Sequence, residues 1–382
     1  MIPNPRNATC IFSPRNEIEY GENFYITRAQ KGDERGGQLI NPFAPSCLKM
    51  CSNLVPNSRE GGGARIEKLD HVRSGLVIDG GDRGQVLKAT LSPALRRRAQ
   101  AFGRLVRHSA VTPCTGSTHK PELVTNGQLG LTFIGHASFF LQIGGQNVVI
   151  DPNFAPWLFV LKRLRRPGLR VRDLPAIDLV LVTHAHFDHL HRPSLRALAQ
   201  HSVRKSGRAP AIVVPRQVAD LIADLGFSEI IELDWWGSHR FHALTVTHVP
   251  SRHWGARVLK DSHRGYGGYV LHDRKHSVYH AGDTAYFSGF REIGEQLAPE
   301  LALLPIGAYN PPSFRNVHAS PADATRAFLD LKARWMVPMH YGTFKLSHEP
   351  MDEPLQLLQR EAKAAGIEDR VVVLEEGITR LF

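Results

Sequence analysis

The chain of 382 residues has only four cysteines, Cys10, Cys47, Cys51 and Cys114, too few for a disulfide-stapled scaffold. Cys47 and Cys51 form a lone C-x3-C, a weak signal for structural zinc. No run of eighteen apolar residues occurs and mean hydropathy is -0.23, which argues against a transmembrane helix. The opening "MIPNPRNATCIFSPRNEIEYGENF" lacks the apolar stretch of a secretory signal. The default expectation is therefore a cytoplasmic protein with reduced thiols, in which the sequon at Asn7 is accidental. Neither a G-x-S-x-G elbow nor a P-loop is found, so a serine nucleophile of that type and a phosphate cradle of that type are set aside.

Positive charge is plentiful. Forty-seven Lys and Arg against thirty-six Asp and Glu give +11 at neutral pH, and the pI is near 9.7. Such a balance favours anionic partners, whether a phosphate-bearing molecule, an anionic membrane surface or nucleic acid, without choosing among them. Aromatic and basic residues do not interleave as in a recognisable RNA module, so nucleic acid is the least favoured.

Residues 1–95 are rich in Gly, Asn, Pro and Arg, as in "KGDERGGQLINPFAPS", and predict an extension with little packed structure. Residues 96–382 form the expected folded domain, entered through the basic helix "ALRRRAQAFGRLVRHS". Strand-like runs then recur at 131–134, 139–143, 147–150, 179–183, 211–214, 244–249, 268–271, 277–280, 301–305 and 335–338. Helical patterns lie between several of them. "SPADATRAFLDLKA" begins with a capping-box-like Ser320 and Asp323, and "DEPLQLLQREAKAAG" ends at the helix-stopping Gly366. Hairpins first and strand–helix alternation later predict sheets covered by helices on their outer faces.

The densest chemistry is "LVLVTHAHFDHLHRP", where His184, His186, Asp188 and His189 follow an apolar strand within six positions. In extended chain, residues two apart share a side, so His184 and His186 can meet one cation. The turn toward the next helix can aim Asp188 and His189 at a second. Three later segments also deliver a ligand type at a strand end. "SVYHAGDTAYF" offers Asp283, with Gly282 permitting close backbone approach. "WMVPMHYGTF" offers His340, and "LTVTHVPSRHWGAR" offers either His248 or His253, between which the residues alone do not decide. Nitrogen and carboxylate donors without thiolate suit a catalytic zinc, iron or manganese better than a closed structural site.

Taken together, "LTFIGHASFFLQIGG", "IDPNF", "THAHFDHL", "PSRHWGAR", "YHAGDTAYF", "LLPIGAYNP" and "PMHYGTF" resemble the metallo-β-lactamase-fold hydrolases. The resemblance is to the branch containing N-acyl-phosphatidylethanolamine phospholipase D and its bacterial relatives, and it spans roughly residues 100–382. It implies an α/β fold, a four-layer αββα sandwich, and two divalent cations, zinc first and Mn2+ or Fe2+ as alternatives. By the same resemblance His184, His186 and His253 would bind the first cation, Asp188, His189 and His340 the second, and Asp283 both. His253 is thereby preferred over His248, and His136 in "GHAS" is read as structural or supporting rather than as a ligand. Two cations about 3.5–4 Å apart lower the pKa of water toward roughly 7, making hydroxide available as the nucleophile. Asp188 and Asp283 would orient it, and His318 would sit near the substrate as proton donor, oxyanion stabiliser or loop brace.

The expected activity is that of a metal-dependent phosphodiesterase, phospholipase D-like, acting on a small or lipid-like anionic substrate. A lactonase or β-lactam/amide hydrolase with the same site is the alternative, and a nuclease or a non-catalytic membrane-binding protein ranks lower. "WLFVLKRLRRPGLRVR" places Trp157, Val160, Leu161 and Leu164 on one helical stripe, with Lys162, Arg163, Arg165 and Arg166 as the basic remainder. A helix there would be core, a lid, or a peripheral contact with an anionic membrane. Oligomeric state stays open, a homodimer included.

Overall fold

A computed structural model describes residues 92–125, 127–258 and 261–382. The extension up to residue 91, Asn7 and the Cys47–Cys51 pair lie outside the described residues.

Helix α1 (Pro93–Val111) opens the described chain, its first turn capped by the Ser92 hydroxyl, which accepts from the Leu95 amide. Next come β1 (Gly130–Gly135), β2 (Ser138–Ile143) and β3 (Gln146–Ile150), an antiparallel meander. A short hairpin, β4 (Trp157–Leu158) and β5 (Leu161–Lys162), precedes β6 (Leu179–Leu181), α2 (Arg192–Ser206), β7 (Ala211–Pro215) and β8 (Glu229–Leu233). The chain then builds a second sheet from β9 (Ser238–Phe241), β10 (Leu244–Val249), β11 (Gly268–His272), β12 (Ser277–His280), β13 (Leu301–Pro305) and β14 (Trp335–Met339). Helices α3 (Gly289–Leu297), α4 (Pro321–Leu331) and α5 (Glu353–Ala364) interrupt or follow it, and β15 (Thr379–Leu381) returns to pair with β1.

The two sheets have strand orders β15-β1-β2-β3-β6-β7-β8 and β14-β13-β12-β11-β10-β9. Alternation along each strand decides what faces what. Val148 and Ile150 of β3 and Leu179 and Leu181 of β6 point into a core shared with Val246, Leu271, Val278 and Leu303 of the second sheet. Their neighbours Val149 and Val180 point the other way, against Leu195 and Leu198 of α2. Strands buried on both faces have no polar alternation to keep, which is why these runs read as continuous Val, Ile and Leu. On the far side Phe290 of α3, Phe328 of α4 and Leu358 of α5 join the main core. The result is the expected αββα order of layers, with α2 outside one sheet and α3 and α4 outside the other.

Ser320 and Asp323 form the complete reciprocal capping box at α4, and Gly366 follows the last residues of α5 with φ +64°. The segment before β6 differs from expectation. Residues 157–164 form no helix: the chain makes the β4–β5 hairpin, with Phe159 at φ +54° in its turn. Only ten residues separate Pro156 from Pro167, too few for a helix to persist without strong packing. Arg163, assigned to a basic outer face, is instead buried. Its guanidinium donates to the carbonyls of Asn153 and Arg165 and lies 5.3 Å over the Phe344 ring. Burial pushes it down to about 10, so it keeps its charge at neutral pH.

Candidate metal centre

Strands β1, β3 and β6 run in one direction within the first sheet, as do β10, β12, β13 and β14 within the second. The segments leaving their C-terminal ends carry every side chain of the site. His136 follows β1, Asp151 follows β3, residues 184–189 follow β6, His253 follows β10, Asp283 follows β12, His318 lies in the connection after β13, and His340 follows β14.

Strand β6 stops at Leu181, two residues before the expected end, and the histidine-rich loop is held by its neighbours. Arg257 donates to the carbonyls of Ala185 and Leu190, and the Asn153 side-chain Nδ2 donates to the carbonyl of Asp188. Gly282, at φ +61°, lets the Asp283 segment pass the loop: a Cβ there would stand 2.6 Å from the Gly267 carbonyl oxygen and 3.0 Å from Thr183.

Two clusters result. His184 Nε2 and His253 Nε2 lie 2.9 and 3.2 Å from His186 Nδ1. Across from them, His340 Nε2 is 3.6 Å and His189 Nε2 3.8 Å from Asp188 Oδ2. Asp283 stands between. Its Oδ1 is 3.3 Å from His189 Nε2, while its Oδ2 is 3.2 Å from His340 and 3.8 Å from both His184 and His253. All seven residues expected at the site therefore meet. His318 comes close as well, its Nδ1 3.8 Å from Asp283 Oδ2. His248 joins none of these groups; it sits within β10 with its ring 5.1 Å from that of Tyr269.

The donors are already aimed. Asp151, fully buried, accepts from the Thr183 amide and hydroxyl and from His189 Nδ1–H, each at 2.7 Å. With its own hydrogen committed to Asp151, the Thr183 hydroxyl accepts from His184 Nδ1–H at 3.0 Å. His253 Nδ1–H donates to the Val317 carbonyl. In each ring the outer nitrogen is tied and Nε2 is turned inward, the arrangement that prepares imidazole to ligate. Asp151, in "IDPNF", is not among the residues expected at the site. An acid directly behind the apolar run "VVI" was the available signal, because a buried carboxylate demands partners.

The buried carboxylates and imidazoles of the site shift one another's protonation. Burial opposes ionisation of Asp188 and Asp283, yet His189 and neighbouring imidazoles hold both well below the usual carboxylate range. Burial likewise opposes charge on His340, but the nearby carboxylates of Asp283 and Asp188 raise it to about 9; His189 is also raised well above an ordinary histidine. Protons on these two rings thus balance the carboxylates. Burial drives His186 and His318 down to about 4 and His184 and His253 lower than an ordinary histidine. His189 Nε2, His340 Nε2 and Asp283 Oδ1 are buried without a hydrogen bond. Inward-facing nitrogen and oxygen donors, lacking partners and surrounding two anions, fit a pair of divalent cations.

A family model described as a beta-lactamase superfamily domain matches residues 146–341. The chain belongs to this superfamily. Its fold is the metallo-β-lactamase fold, and it is a metal-dependent hydrolase of that group. A metal-dependent hydrolase of Rubrobacter xylanophilus is 34% identical over 257 residues, covering 66% of this chain and 96% of that protein. The mitochondrial N-acyl-phosphatidylethanolamine-hydrolyzing phospholipase D of Saccharomyces cerevisiae is 30% identical over 268 residues, covering 66% of this chain and 55% of the yeast protein. Among solved structures, Igni18, a metallo hydrolase of Ignicoccus hospitalis, is 26% identical at a TM-score of 0.50, covering 67% of this chain and 98% of that one. Among the described residues no helix of this metallo-β-lactamase-fold chain is long and apolar enough to cross a membrane.

Proposed function

We propose that the chain is a dinuclear zinc phosphodiesterase, phospholipase D-like in the bond it cleaves. The observation that carries the dinuclear reading is Asp283, whose carboxylate lies within 3.8 Å of inward-facing nitrogens from both clusters. His184, His186 and His253 would hold one cation and Asp188, His189 and His340 the other, with Asp283 shared. When bound, such a pair supplies activated water and takes up charge growing on an attacked phosphoryl oxygen. The likeness to the yeast phospholipase D supports a phosphodiester as substrate.

The remaining steps belong to the chain's own side chains. His186, Asp188 and His318 are the partly open members, the last two with side chains 13% and 12% exposed against 2% for Asp283, so substrate approaches from their side. Asp188 orients the attacking water through its carboxylate. The oxygen of water joins phosphorus as the bond to the leaving alcohol breaks, and the proton that the water gives up goes to that alcohol. His318, held neutral by burial, serves better as a hydrogen-bond donor to the charged phosphoryl oxygen than as an acid. At the β4–β5 turn Trp157, Phe159 and Val160 are exposed, and Phe159 packs on Phe187 of the histidine-rich loop with ring centroids 4.5 Å apart. That apolar rim and the net charge of +11 suit an anionic substrate with an acyl or aryl body, and peripheral contact with an anionic membrane.

A panel of bis-p-nitrophenyl phosphate, a simple lactone, nitrocefin and N-acyl-phosphatidylethanolamine tests the reading. Turnover of the two phosphodiesters is expected. Turnover of the lactone or nitrocefin alone would replace it with a carbonyl hydrolase at the same site.

A further inference from the structure

His136 lies outside the residues matched by the family model, yet it touches three members of the second cluster. Its Nε2 is 3.0 Å from Asp188 Oδ2, the distance of an ordinary N–H to carboxylate hydrogen bond. Its ring centroid is 4.3 Å from that of His340 and 5.5 Å from that of His189. Its main chain is engaged too: the carbonyl accepts from the His340 amide at 2.7 Å, and the amide donates to the Thr343 hydroxyl at 2.8 Å. Both His136 and His340 adopt left-handed backbone, φ +63° and +59°. Glycine or asparagine would enter that conformation more readily. A histidine kept there, buried to 1% exposure, points to a need for the ring itself.

We propose that His136 is the positioning residue for the second cation: its Nε2–H fixes the Asp188 carboxylate while its carbonyl fixes the loop that carries His340. Two donors delivered by different sheets are thereby held in register by one side chain and one peptide group. The ring acts through Asp188 and spends its Nε2 on that hydrogen bond rather than on a metal. This rests on the dinuclear reading above.

Zinc titration of the chelator-stripped full-length chain, followed with a competing chromophoric chelator, tests it. Wild type should bind in two steps, and His340→Ala identifies which step belongs to the second cluster. His136→Ala should weaken that same step about 10–100-fold, the usual effect of removing a partner of a metal ligand, and leave the other step unchanged. His136→Gln, which restores an N–H near the position of Nε2, should recover most of the loss. A glutamine variant as poor as alanine would make His136 a ligand or a packing residue and overturn the proposal, as would no change, or equal weakening of both steps. Wild type binding fewer than two zinc ions would instead defeat the dinuclear reading itself.

Discussion

At the residue scale the centre is a balance of charges that a cation would resolve. In the cation-free chain Asp188 and Asp283 stay ionised because His189 and His340 carry protons. The sign of the pH effect follows. His340, raised to about 9, stabilises the cation-free fold at pH values below its unfolded pKa near 6.5, and that contribution is lost as pH rises through about 9. Cation and proton compete for the same nitrogens, so zinc uptake near pH 7.5 should release protons, and affinity should rise with pH across this range. Calorimetric titration in buffers of different ionisation enthalpy measures the release; heats independent of buffer would contradict the ligand assignment. Most of these residues were legible, since "THAHFDH", "AGDT" and "HYGTF" concentrate ligand types behind apolar runs. Asp151 was not, and His136 was legible only as a structural or supporting residue. Their roles depend on partners far along the chain, Thr183 and His189 for one, Asp188 and His340 for the other.

At the element scale, hydrophobic pattern located ten strands because both faces of the central ones are buried. Three others carried no such signal. Strand β8, "EIIEL", and strand β9, "SHRF", are edge strands with exposed charged or polar positions, and β15 is three residues whose pairing with β1 spans nearly the whole domain. The misread helix at 157–164 is the more instructive case. Its apolar spacing was real, but the carbonyls of Asn153 and Arg165 capture the Arg163 guanidinium, and that buried interaction outweighs a marginal helix. Arg163→Glu should therefore act on stability. Reversing a buried charge among carbonyl oxygens is expected to cost about 3–5 kcal/mol, read as a lower urea midpoint with an unchanged slope. A midpoint within error of wild type would restore Arg163 to an outward-facing role.

At the scale of the whole molecule, parallel strand directions within each sheet bring distant sequence segments to shared edges. Four histidines scattered from residue 184 to residue 340 thereby come within 3.8 Å of Asp283. The superfamily match covers all seven residues expected at the site. The phosphodiester and the zinc are inferences from the yeast relative and from the donor chemistry. Anomalous diffraction from zinc-loaded crystals reaches the central claim most directly. The account predicts two peaks about 3.5–4 Å apart, each about 2 Å from its nitrogen and oxygen donors, with the Asp283 carboxylate touching both. A single peak, or a pair that does not share Asp283, would contradict it.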